Sequence, residues 1–167
     1  LLGLNNFSFE QYIKELEATL NATSKEYMDL FYAIANDNGF MTSAQIDAHV
    51  SKYPIFDGTP DEMMVFLKDF APTIVPELKS NPEINIKYMD TASAKVSNAV
   101  AYYMKSALDN TAGENITLNG EKLGNKNDVI GTLAHEGYPG HLYAYVYSKE
   151  IGQHNLSTIM TSTAHAE

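Results

Sequence analysis

The stretch His135–His141, HEGYPGH, decides how this chain is read. Two histidines bracket a glutamate, a tyrosine and a Pro-Gly pair inside a segment of helical pattern. Imidazole and carboxylate groups are what a zinc ion needs, and a glutamate directly after the first histidine is placed to act on a zinc-bound water. In an ordinary HExxH helix the histidines are four apart, about 40° round the axis and ~6 Å along it. Six apart on an unbroken helix they would stand about 120° apart and ~9 Å along. That is too far for two nitrogens to reach one ion at about 2.0–2.1 Å each.

An unbroken helix is not what the residues predict. Pro139 has no N–H, and its ring would strike the carbonyl of His135, at a cost of about 3 kcal/mol in a helix interior. Gly140 adds about 1 kcal/mol relative to alanine. The pair therefore predicts a local unwinding or bulge. Two residues looped out would bring His141 back beside His135. The competing reading is that His141 simply begins a second helix.

The rest of the composition narrows the chemistry. With 167 residues, 44% of them apolar and 19% charged, the chain is neither disordered nor highly charged. A net charge of −10 with no basic stripe argues against nucleic acid as a partner. There is no cysteine, so a transition metal must be held by His, Asp or Glu. No apolar run reaches the ~20 residues of a transmembrane helix. The chain begins at Leu1 and ends at Glu167 within a helical pattern, and is expected to be a piece of a longer protein.

The pattern predicts a mainly α chain with a small antiparallel β-sheet, in one domain or domain fragment: a helical part over 1–75, a sheet over 80–120 and metal-site helices over 128–167. Ser8 with Gln11 reads as a capping box opening a helix striped by Phe9, Tyr12, Ile13, Leu16 and Leu20. Ser24 reads as the start of a second helix carrying Tyr27, Leu30, Phe31 and Ile34, stopped at Asn38-Gly39. Thr42 with Gln45 opens a short helix to Val50. Thr59-Pro60-Asp61-Glu62 is the strongest start: a cap, a proline at the first helical position and an acidic first turn. Three short strands follow, Ile84–Met89, Val100–Met104 and Ile116–Leu118. Asn127 or Asp128 is placed to cap the motif helix, which resumes after the break as LYAYVYSKEI. Asn155 or Ser157 opens a last helix. Tyr143, Tyr145 and Tyr147 alternate along a helix and so are not expected to share a face, and His49, without a partner in sequence, is expected to be solvated.

A catalytic zinc needs a third protein ligand and an open position for water. The candidates are Glu150, His154, His165 and Glu167. Glu150 lies far along the motif helix and His154 in the turn after it, whereas His165 and Glu167 lie on the helix that must fold back. Spacing alone leaves the choice open.

Leu133–His141, LAHEGYPGH, resembles the HExxPGHH signature of the bacterial family called domain of unknown function 885, whose members look like zinc metallopeptidases of the zincin type. The resemblance extends back through Pro76–Leu78, Tyr102-Tyr103 and the strand ending at Asn119. It extends forward to AHAE, which fits the place of the family's EGWA. It implies zinc ligands at His135, His141 and Glu167, and Glu136 as the general base of a hydrolase acting on a peptide or other amide. The second histidine of PGHH is Leu142 here, so the ligand falls to His141. Among Tyr102, Tyr103 and Tyr138, Tyr103 is the preferred donor to a tetrahedral intermediate. By analogy the resemblance favours the cell envelope or secretion, and this piece is expected to be inactive alone. The alternative is a non-catalytic helical binding or structural module with an incomplete metal site.

Overall fold

No glycine or proline interrupts the chain between Phe9 and Asn38, and the apolar stripe passes from Leu20 to Tyr27 in seven residues, two helical turns, without losing phase. In the computed structural model, which describes residues 8–105 and 113–152, these residues form one 30-residue helix, α1 (Phe9–Asn38), instead of the two expected. Ser24 lies inside it. A serine followed by Lys25 and Glu26, within a stripe that stays in register, has no reason to start a new element. Ser8 caps the start by accepting the N–H of Gln11 at 3.3 Å. Gly39, with φ of 66°, ends it, and Phe40 N–H returns to the carbonyl of Ala35 at 2.9 Å.

The chain falls into two compact units, Leu1–Tyr53 and Pro54–Glu167. The first holds α1 and α2 (Ser43–Val50). α2 opens on the expected Thr42–Gln45 capping box and buries Ile46. His49, expected to be solvated, is half-buried: its ring packs between Phe40 and Tyr53, 5.2 Å from each.

The second unit begins with α3 (Pro60–Phe70), which has Thr59 as cap, Pro60 in the first turn and Glu62 closing a capping box. Met63, Met64 and Leu67 are its buried face. Three strands follow: β1 (Ile84–Tyr88), β2 (Ala101–Met104) and β3 (Glu114–Leu118). The sheet is mixed rather than antiparallel: its order is β1-β3-β2, with β1 parallel and β2 antiparallel to β3. β3 takes the centre because it has the cleanest alternation, with Glu114, Ile116 and Leu118 all buried on one face.

β1 and β2 are kept apart by α4 (Thr91–Val96), a six-residue helix not foreseen in the sequence. Asp90 caps it by accepting the N–H groups of Ala92 and Ser93 at 3.0 Å each. The fully buried Asn119 ties this helix to the sheet. Its Nδ2 donates to the carbonyls of Ala94 and Ala99 at 3.0 Å, and its Oδ1 accepts from Glu121 N–H at 3.1 Å.

α5 (Lys126–Glu136) and α6 (His141–Glu150) complete the unit. The cap of α5 is Asn125, with Asp128 completing the capping box. Asn127, one of the two expected caps, instead accepts the N–H of Ile55 at 2.8 Å. Met63, Met64, Ile116, Leu118, Ile130, Leu133, Leu142 and Val146 make one core beneath the motif. Among the described residues no helix is long and apolar enough to cross a membrane. The helix expected from residue 155 lies outside the described residues.

Candidate metal centre

The core-facing residues Ile130 and Leu133 hold α5 so that its last two residues, His135 and Glu136, end at the break. Gly137 closes the helix, its N–H on the carbonyl of Leu133 at 2.8 Å. The Tyr138–Pro139 bond is cis, and the chain turns back so that Gly140 N–H reaches the carbonyl of Ala134 at 3.0 Å. A side chain at Gly140 has no room: a Cβ there would overlap the carbonyl oxygen of His135 and lie within 2.5 Å of that of Ala134. Tyr143 N–H donates to Gly137 at 3.1 Å, which starts α6 directly on the loop.

Both readings of the break therefore hold together. His141 begins a second helix, and the turn also places it against His135, with ring centroids 4.7 Å apart and planes at 85°. One ligand atom each from His135, Glu136 and His141 all lie within 4.8 Å of one another. Two ligand atoms on one tetrahedral zinc stand about 3.4 Å apart, a difference from the 4.8 Å limit that side-chain rotation can take up. His135 is exposed, His141 partly so, and Glu136 is buried. Two imidazoles without sulfur, with a carboxylate beside them, fit a zinc site in which the imidazoles are ligands and the carboxylate faces a bound water. Glu167, the expected third ligand, lies outside the described residues, as do His154 and His165.

Glu136 is anchored from the sheet. Its Oε2 accepts the backbone N–H of Tyr103 at 2.8 Å, and among the described residues Oε1 accepts no hydrogen bond. The Tyr103 N–H is available because of strand register. Asn119 N–H donates to Val100 at 2.8 Å, so with Tyr102 opposite Thr117 the residues 100, 102 and 104 bond inward to β3. Ala101 and Tyr103 then turn their backbone groups outward, towards α5.

The hydroxyl of Tyr103, expected to donate to a tetrahedral intermediate, donates to Oε2 of Glu114 at 2.5 Å. Burial first, and then the bonded Glu114 carboxylate, hold that hydroxyl well above the ordinary tyrosine range. Tyr102 is exposed on the other face of β2. Tyr138 is buried, and its hydroxyl has no partner among the described residues. Burial, with the nearby charges of Glu150 and Glu114, pushes it up to about 12. Tyr143 and Tyr147, four apart, do share a face, stacking at 5.7 Å, while Tyr145 packs 6.3 Å from Tyr103. Tyr143 also donates to the carbonyl of Pro76 at 2.7 Å.

One residue at the site, Glu114, is not among the sequence candidates, and one candidate, Glu150, has another use. Glu114 is a buried carboxylate that period-2 counting back from Ile116 would have found, had the strand been started two residues earlier. Glu150, weighed above as a ligand, instead clasps the loop before β1. It accepts the N–H of Lys79 at 2.8 Å and of Ser80 at 2.7 Å, and the Ser80 hydroxyl at 2.5 Å.

No protein-family model matches the chain, and no curated protein matches it. A crystal structure of a protein from Colwellia psychrerythraea, described as a "putative lipoprotein", shares the fold with a TM-score of 0.56 at 14% identity. The match covers 81% of this chain and 26% of the other, so this chain spans about a quarter of that protein's length.

Proposed function

We propose that the chain carries the metal-binding segment of a zincin-like zinc hydrolase that cleaves a peptide or other amide bond. The observation that carries this reading is the convergence of His135, Glu136 and His141 within 4.8 Å across a Pro-Gly break. When bound, zinc supplies Lewis acidity, lowering the pKa of a water towards ~7 and polarising the scissile carbonyl. His135 and His141 would hold it through one ring nitrogen each, with Glu167 as the third ligand implied by the family resemblance. Glu136 takes the proton of the attacking water at Oε1 and delivers it to the leaving nitrogen. With Oε2 held by Tyr103 N–H, the carboxylate is restrained from turning away. A location in the cell envelope or outside the cell, which the resemblance implies, belongs to the same proposal and is checked by fractionation.

The direct test is Glu136→Gln in the full-length protein, assayed on short peptides. Zinc is retained and hydrolysis falls by about 10²–10⁴-fold, the usual contribution of a general base. Full hydrolysis by a zinc-loaded variant refutes the mechanism.

One observation favours a second reading. Because Glu136 already holds the edge of the sheet, it has a structural use without catalysis. In that case the chain is a non-catalytic helical module, and a chelator leaves its melting temperature unchanged.

A further inference from the structure

Glu114 is tied to Glu136 through a single residue. Its Oε2 takes the hydroxyl of Tyr103 at 2.5 Å, and the N–H of the same tyrosine reaches Oε2 of Glu136 at 2.8 Å. Glu114 is 3% exposed and Glu136 8%, so both carboxylates have left water behind. A buried carboxylate is retained where it is hydrogen-bonded, and losing a charged acceptor costs more than losing a neutral one. Among the described residues, Tyr103 belongs to a four-residue edge strand paired on one side only. Such a strand has little to fix its outer backbone groups except what its side chains grip. Tyr103 stands opposite Ile116 on the buried face, which sets its ring beside Glu114, two residues along β3.

We propose that Glu114 and the Tyr103 side chain form a positioning relay: Glu114 grips the tyrosine hydroxyl, the grip fixes β2 at residue 103, and the Tyr103 N–H thereby holds the Glu136 carboxylate toward the two histidines. Neither residue touches reacting atoms. In catalytic terms the relay rests on the hydrolase reading above, but the backbone restraint exists with or without turnover.

The experiment reads the restraint itself. Amide exchange at Tyr103 is followed by NMR in the full-length protein, in the parent, in Glu114→Leu, which removes the acceptor, and in Glu114→Gln, which keeps one. The relay predicts exchange at Tyr103 about tenfold faster or more in Glu114→Leu. Met104 keeps its parent rate, because its N–H belongs to the sheet ladder, and Glu114→Gln stays close to the parent. In the hydrolase assay, Glu114→Leu and Tyr103→Phe each lower kcat by roughly tenfold at unchanged KM and zinc content, and the double variant is no worse than either single one. Unchanged Tyr103 exchange in Glu114→Leu overturns the relay, as does a Glu114→Gln variant as perturbed as Glu114→Leu. A parent protein with bound zinc and no turnover sinks the hydrolase reading, and the exchange data then decide the relay by themselves.

Discussion

The ring of His141 stands edge-on to that of His135, 4.7 Å away between centroids, although six residues separate them. The closeness depends on one hydrogen bond and one missing side chain. Gly140 N–H reaches Ala134, and the absent Cβ of Gly140 leaves room for the carbonyl of His135.

Gly140→Ala is therefore expected to force the two segments apart. Inserting a methyl group against backbone costs about 1–3 kcal/mol, and here the movement also separates the histidines. Thermal melting and zinc content should both fall. Gly131→Ala, on the exposed side of α5 with open space around it, is the control and should stabilise by up to about 1 kcal/mol.

Asn119 is the link between α4 and the sheet. Asn119→Leu would leave the buried carbonyl of Ala94 without its partner and would also remove the bonds to the more open Ala99 carbonyl and Glu121 N–H. Urea denaturation should show a loss of about 2–3 kcal/mol, since each buried polar group left unpaired costs about 1–3 kcal/mol. A variant as stable as the parent would mean that water reaches these groups.

Glu150 gives a pH test. Its carboxyl is held below the ordinary glutamate range, first by the Ser80 hydroxyl and then by Lys79 N–H. A depressed folded pKa means that the stabilisation is fully present above the unfolded value of about 4.3 and disappears as pH falls through the folded value. Glu150→Ala should lower the urea midpoint at pH 7, and its difference from the parent should shrink as pH falls below the unfolded value. Glu62 and Asp90, lowered by their bonds to Thr59 and Ser93, titrate in the same direction and steepen the acid limb of both proteins.

Much of this architecture was legible in the sequence because its causes are local. The caps at Ser8, Thr42 and Thr59 are each decided within four residues, and so is the break at Pro139-Gly140. Partners distant in the chain were not. Nothing near β1 says that β3 will come between it and β2, so the sheet was read as antiparallel. Ser24 looked like a cap because serine serves both at helix starts and inside helices, and only the unbroken stripe decides. α4 was missed because six residues carry too little periodicity. At the site, His135, Glu136 and His141 were legible as a cluster, but Glu114 was not, since a glutamate before a short apolar strand reads as a turn residue. The bond between Tyr103 N–H and Glu136 follows from sheet register, which no local pattern contains.

The most direct test of the central claim is the zinc content of the full-length protein after dialysis against trace metal, compared with that of His141→Ala. Convergence of His135 and His141 on one ion predicts close to one zinc per chain in the parent and almost none in the variant, with the secondary structure of both intact by circular dichroism. Equal zinc in the two proteins, or none in the parent, would contradict it.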